Sequence, residues 1–179
     1  LNRQAGKIPV GCDGLVYHPY LNGELTPYGD PVLCGSFVGI RASHTKAHFT
    51  RSVLEGVSLS LLHSKKALEQ LGIFGGPRAT IIGGGAQGEL WRQITADCLG
   101  MELVKTRSSD SSLGSAMLAG IASGVFSSCK DAVKACIREE GVTTPIPENR
   151  EKYERLFAEY VRIHDALAPV YHARQEEGI

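Results

Sequence analysis

No stretch of this chain approaches the roughly 18 consecutive apolar residues of a membrane span, and no secretory segment is visible. A membrane is therefore not among its expected partners. There is no excess of charge of either sign: 19 basic residues face 19 acidic ones, for a formal net charge of zero. Proteins that hold nucleic acid through a general positive field carry a surplus of Lys and Arg, so nucleic acid is not expected either. The five cysteines, Cys12, Cys34, Cys98, Cys129 and Cys136, include no C-x-x-C pair. That spacing excludes the usual zinc and disulfide-exchange motifs and reads as reduced cytosolic thiols, partly core. Repeats and low-complexity tracts are missing as well. The opening "LNRQAGKIPVG" begins with Leu and has no start-like character, so the expectation is a piece of a longer chain.

What remains is an ordinary globular composition. With 179 residues and 42% hydrophobic content, the chain is long enough for one domain with a sizeable core and too short for two large ones. "GLVYHPYL" (14–21) reads as a strand interrupted by Pro19, and "GSFVGI" (35–40) as a second short strand. A long helix is expected from 43 or 44 to 71. Val53, Leu54, Val57, Leu61, Leu68 and Leu71 mostly keep a three-to-four spacing and define its apolar face, with Gly72 as the stop. Then follow a strand over 78–82, a glycine turn, a helix over 88–99, a strand over 101–106 and a helix over 111–124 capped by Asp110 or Ser111. A short helix over about 129–139, a loop punctuated by Pro145 and Pro147, and a charged amphipathic helix from 148 to about 173 complete the chain. Strands alternating with helices in the middle imply βα crossovers and a largely parallel sheet.

The glycine turn raises the sharpest question. In "TIIGGGAQGELWRQ" (80–93) a β-branched run meets three consecutive glycines, although glycine loses the most backbone freedom on ordering. Gly83, Gly85 and Gly88 satisfy G-x-G-x-x-G between a strand and a helix, as a dinucleotide site requires. The acidic ribose partner of that motif should end the next strand. Glu102 instead sits near the start of "MELVKT", while the end offers Thr106, Arg107 and Ser108. An arginine there could serve a phosphorylated ribose, so an NADP-binding dehydrogenase module stays open. A tight turn with no ligand is a second reading. A third lets adenine and ribose lie on bare backbone, with phosphates near the N-terminus of the next helix. No Gly-Lys-Ser/Thr follows, which excludes the six-residue P-loop.

Other motifs are weaker. His44 and His48 stand four apart, but "HTKAH" lacks the glutamate of a zincin. Gly56, inside a helix and after Glu55, costs about 1 kcal/mol relative to alanine and points to close packing. Gly114 and Gly120 invite the same reading. "RSSDSS" (107–112) reads as a capped loop, because no G-x-S-x-G elbow occurs.

Five blocks, "GLVYHPYLNGELTPYGDP", "GSFVGI", "HTKAHFTRSVLEGVSLSL", "IIGGGAQGELWRQITADCLG" and "SSLGSAMLAGIASGVF", stand in an order and spacing similar to the C-terminal domain of the FGGY carbohydrate kinases, xylulokinase-like branch. The closing "YERLFAEYVRIHDAL" is similar to the family's terminal helix. The likeness runs from about residue 11 to about 170, and it favours the adenosine reading over the dinucleotide one. It implies an α/β fold of the actin-like ATPase (ribonuclease H-like) type, with a mixed, largely parallel sheet flanked by helices and incomplete on its N-terminal side. It also implies a cytoplasmic, ATP- and Mg²⁺-dependent kinase acting on a sugar, a ketopentose such as xylulose, that is bound through a missing N-terminal domain. Gly83, Gly84, Gly85 and Ala86 match the family's adenosine motif, with Gln87 and Gly88 continuing the turn. Leu25 stands where the family's "GERTP" has arginine, and Gly88 where relatives often carry serine. The family's catalytic aspartate and phosphate loops match no segment here, so Asp13, Asp30, Asp97, Asp110, Asp131 and Asp165 receive no catalytic role. The isolated chain is then expected to be inactive. A non-catalytic, nucleotide-binding kinase-like protein is a further alternative, and a homodimer is compatible with apolar surface left at an interdomain face.

Overall fold

The computed structural model describes residues 1–73, 76–107 and 111–178. A short helix, α1 (Asn2–Ala5), leads into a left-handed turn and then a two-stranded antiparallel ribbon, β1 (Val16–His18) with β2 (Ser36–Val38). The long helix α2 (Lys46–Gln70) follows. Next come β3 (Arg78–Ile81), a 3₁₀ turn (Gly84–Gln87), α3 (Glu89–Leu99) and β4 (Glu102–Thr106). The chain closes with α4 (Ser111–Ala122), α5 (Cys129–Cys136), β5 (Glu139–Thr143) and α6 (Pro147–Glu176).

β3, α3 and β4 form the expected crossover: β4 lies parallel to β3, with Arg78 opposite Glu102 and Ile81 opposite Lys105. β5 then adds antiparallel to the other side of β4. The sheet is therefore mixed, and β5 is an element that periodicity did not reveal. "EEGVT" has no alternation and two poor strand formers in Glu and Gly. It pairs because β4 offers an open edge, and cross-strand charges help it: Lys105 meets Glu140 at 2.8 Å and Arg78 meets Glu139 at 3.2 Å. The anticipated cap of α4 at Asp110 or Ser111 falls on residue 110 and a side chain outside the described set.

Both ends of α2 follow local rules. Its first turn is closed by His48, whose Nδ1 accepts the Thr45 backbone N–H at 3.1 Å. Beyond its end Gly72 takes the left-handed conformation at φ 68°. The buried face differs from the expected apolar stripe. Arg51, Ser52, Glu55, Gly56, Ser58, Leu59 and Leu62 point inward, whereas Leu61 and Leu71 are exposed. The reason is electrostatic and steric at once. Arg51 and Glu55 neutralise each other across one turn, Nε to Oε1 at 2.8 Å, and a Cβ on Gly56 would sit 2.2 Å from the Tyr17 carbonyl oxygen. Glycine is what lets α2 lie directly on β1. Gly120 answers to a different neighbour, the Phe126 ring just beyond its own helix. A Cβ on Gly114 would meet open space. These two positions therefore do not serve helix–sheet contact.

Around this spine the core gathers Val16, Tyr20, Leu33, Leu59, Leu62, Ile94, Cys98, Tyr153 and Tyr160. Asp97 ties α3 to the start of α6: it is buried and accepts Ile146 N, Asn149 Nδ2 and Gln93 Nε2, each at 2.7 Å. His18 is buried with its Nε2–H donated to the Tyr160 carbonyl at 3.0 Å and Nδ1 facing the Ser36 hydroxyl at 3.4 Å. Among the described residues no helix is long and apolar enough to cross a membrane.

Glu55 is the most connected of the buried groups. Besides Arg51, its carboxylate accepts the Tyr153 hydroxyl at 3.0 Å, the Gly11 backbone N–H at 3.1 Å and the Cys12 thiol at 3.3 Å. Burial, then the carboxylate beside it, pushes the Cys12 thiol well up, so it stays protonated and donates. Gly11 to Gly14 all have positive φ, from 49° at Cys12 to 89° at Gly14. Two of them are not glycine, at a cost of about 1–2 kcal/mol each. The two donors from this turn to Glu55 offset that strain.

Removing one member of a buried charge pair strands the other. Glu55→Ala should lower unfolding free energy by about 3–5 kcal/mol, and Arg51→Met with Glu55→Leu by less than the two single changes summed. Urea titration followed by circular dichroism measures this, and a Glu55→Ala loss under about 1 kcal/mol would contradict it. A second expectation concerns pH. Burial lowers His18 from 6.5 to about 4, and it also lowers His63 and His164. The unfolded chain then takes up protons below pH 6.5 that the folded chain refuses. Stability should be flat above pH 7 and fall toward pH 4, by up to about 3 kcal/mol for His18 alone. Urea midpoints at pH 7.5 and 5.0 should separate, and His18→Gln should shrink the gap. An unchanged gap would remove His18 as its source.

Candidate nucleotide site

The six residues from Gly83 to Gly88 form one contiguous turn at the C-terminal end of β3, between the strand and α3. In open α/β sheets that end of a strand is where ligands bind. Ala86 N donates to Gly83 O at 3.2 Å and Gly88 N to Gly85 O at 3.0 Å, which winds the segment into its 3₁₀ shape. Ile82 leads into it with a side chain 61% exposed.

The three consecutive glycines are bare for three separate reasons. Gly83 has φ 82° and ψ −175°, a region that is essentially glycine's alone. Gly84 has no such constraint. It is exposed, and a Cβ there would meet nothing within 4 Å. Gly85 is closed from below, since a Cβ would come within 1.8 Å of Trp91 Cζ3. Gly83 and Gly84 both present bare backbone with free space over it, and of the two only Gly84 has a torsion that does not itself require glycine.

The neighbours complete the turn. Ala86 is buried, and its carbonyl accepts Arg92 Nη1 from the second turn of α3. Gln87 is exposed. Gly88 is the N-cap of α3 at φ −79° and ψ 106°, and the nearest atom to a Cβ there, Gly85 O, would be 3.5 Å away. A serine at this position would therefore fit sterically. Glu89 follows in the first helical turn. Its negative charge competes with any phosphate for the positive end of the helix. A neutral base and ribose suit this turn better than a phosphate does.

Trp91 and Arg92 were not singled out from sequence. The signal was there in their spacing: six residues past Gly85 and Ala86, one turn into the following helix, they come back beneath them.

The acidic ribose partner of a dinucleotide site is not where that motif needs it. Glu102 opens β4 opposite Arg78 and pairs with it at 3.3 Å, at the end of the strands remote from the glycines. No acidic side chain closes β4, whose last residue is the buried Thr106. Other sequence-noted groups have structural partners. His48 Nε2–H reaches Asp13 Oδ2 at 3.1 Å, so both its nitrogens are engaged. Asp30 accepts Val32 N at 2.9 Å and His172 at 2.8 Å. Asp131 sits in the first turn of α5, where its N–H meets Ser128 Oγ at 3.2 Å. Among the described residues no group of three or more His, Cys, Asp or Glu is arranged to hold a metal ion.

Comparison with known proteins agrees with this architecture. The family described as "FGGY family of carbohydrate kinases, C-terminal domain" matches residues 2–123. A xylulose kinase of Staphylococcus epidermidis is 37% identical over 161 residues, 89% of this chain and 32% of that protein. A gluconokinase of Bacillus subtilis is 36% identical over 174 residues, 96% of this chain and 33% of that protein. The crystal structure of a xylulose kinase from Rhodospirillum rubrum superposes with a TM-score of 0.81 at 32% identity, covering 96% of this chain and 34% of that one. The chain thus spans about a third of the length of the curated relatives it matches. A match of this extent also displaces the dehydrogenase alternative. The chain belongs to the FGGY family of carbohydrate kinases, as part of their C-terminal domain, and its α/β architecture is the actin-like one of that family.

Proposed function

We propose that the protein carrying this chain transfers the γ-phosphoryl group of ATP to a sugar hydroxyl, a ketopentose such as xylulose being the acceptor, and that this chain holds the adenosine. The observation that carries the reading is Gly84, with open space above unobstructed backbone at the C-terminal end of β3. Adenine is flat and makes most of its contact through its faces, so a ledge without side chains suits it. Ile82 offers an exposed apolar surface beside that ledge. The relatives include kinases of more than one sugar acid or sugar. The preference for a ketopentose therefore rests on the xylulokinase-like blocks and their spacing.

Phosphoryl transfer is mostly positioning plus charge neutralisation, with an aspartate accepting the hydroxyl proton and Mg²⁺ screening the phosphates. Asp13, Asp30 and Asp97 are engaged in ion pairs and hydrogen bonds and Asp131 stands in the first turn of α5, and we assign the base and the sugar contacts to an N-terminal domain. Mg²⁺ would be held by the phosphates together with carboxylates of that domain. Two surfaces here are suited to the rest of the protein. β3 pairs on one side only among the described residues. Between α4 and α5 runs an apolar groove of about 270 Å³ lined by Met117, Leu118, Ile121, Ala132 and Val133. Leu118 alone is 65% exposed. Closure of the two domains over the sugar would exclude water and limit futile ATP hydrolysis.

In the intact enzyme, Gly84→Val should raise KM for ATP by about tenfold or more, with KM for the sugar within about twofold of the parent. Steady-state kinetics with each substrate varied in turn measures it. An ATP KM that does not move would end the adenosine assignment. The 179-residue chain alone should show no sugar-dependent ADP release in a coupled assay. Turnover above background would mean that the catalytic base lies within it.

A further inference from the structure

Trp91 is the one tryptophan of the chain, and its placement is not explained by core filling. Its Nε1–H is buried without an acceptor among the described residues. A stranded buried donor costs about 1–3 kcal/mol, a penalty that phenylalanine or leucine would avoid. Something about the size of the indole must offset that cost. The contacts identify it. A Cβ on Gly85 would lie 1.8 Å from Cζ3, 2.5 Å from Cε3 and 2.9 Å from Cη2. Cζ3 and Cη2 lie on the outer edge of the six-membered ring, farther out than a phenylalanine ring reaches, and Cε3 joins that edge to the ring fusion. The indole therefore presses on the backbone of Gly85 from inside the protein, while Gly84 beside it is open to the outside.

We propose that Trp91 is a positioning residue for the nucleotide: its outer ring edge is the floor that sets the height of the Gly83–Gly88 turn, and so the level at which adenosine meets Gly84. The inference rests on the nucleotide reading above and adds a division of labour to it. Gly85 is bare for the indole and Gly84 for the ligand. Arg92 completes the floor, since the same helix that delivers the ring also holds the Ala86 carbonyl. The nucleotide turn is thus propped by two successive residues of α3 and by nothing on its outer side, among the described residues.

Three variants of the intact kinase test this. Trp91→Phe should lower the floor and raise KM for ATP about tenfold, leaving KM for the sugar within about twofold. Gly85→Ala should act in the same direction by pushing the ring away. The pair Gly85→Ala with Trp91→Phe should bind ATP better than Gly85→Ala alone, because the shorter ring leaves room for the methyl group. In addition, ADP should change the tryptophan emission of the parent, and the change should be smaller in Trp91→Phe. If Gly84→Val weakens ATP while Trp91→Phe does not and the pair shows no rescue, the floor is wrong and the adenosine site stands. If none of the three positions affects ATP, the nucleotide reading itself fails and takes this inference with it. Should Trp91→Phe lose cooperative unfolding, Gly85→Ala decides: an ATP KM that it leaves unchanged overturns the proposal.

Discussion

One buried carboxylate organises this domain. Glu55 is almost fully buried at the middle of α2, and it gathers donors from three separate parts of the chain: the N-terminal turn, its own helix and α6. A charge in that position is tolerable only because every lone pair has a directed donor and Arg51 is one turn away. The arrangement converts an expensive group into a specification. Other packings of α2 against its neighbours would leave the carboxylate, the guanidinium or both without partners. The left-handed turn of Gly11 to Gly14 is a dependent of the same group, since two of its donors end on Glu55.

From that point the constraint passes outward. α2 can lie against β1 because Gly56 allows it, and it grips α3 through Ser58, whose hydroxyl meets Thr95 at 2.9 Å and whose carbonyl accepts the Cys98 thiol at 3.4 Å. α3 in turn carries Trp91 and Arg92 under the glycine turn, and Asp97 pins the start of α6. The exposed ledge at Gly84 is therefore the last member of a sequence of buried polar contacts. Such a site is held by a rigid helix rather than by its own loop, which suits a ligand that needs a fixed surface.

Local rules made much of this readable in advance. Gly72 ends α2, the strand-turn-helix run of residues 78–99 is there, and the five ordered blocks identify the family correctly. The face of α2 was misread because a count of Leu and Val sees hydrophobicity and not pairing. Arg51, Ser52, Glu55 and Ser58 look like a solvated stripe until their partners, more than 35 residues away in most cases, are known. β5 was missed for a related reason. "EEGVT" has no strand character of its own, and the open edge of β4 creates it.

The sequence alone determined where the glycines stand, where helices begin and end, and which family the spacing of motifs belongs to, because each of these depends on residues close together in the chain. Only the tertiary structure decided why each glycine is bare. The torsion of Gly83, the vacancy above Gly84 and the indole beneath Gly85 look identical as letters. They differ because one is a property of the backbone, one of empty space and one of a side chain returning from the next helix.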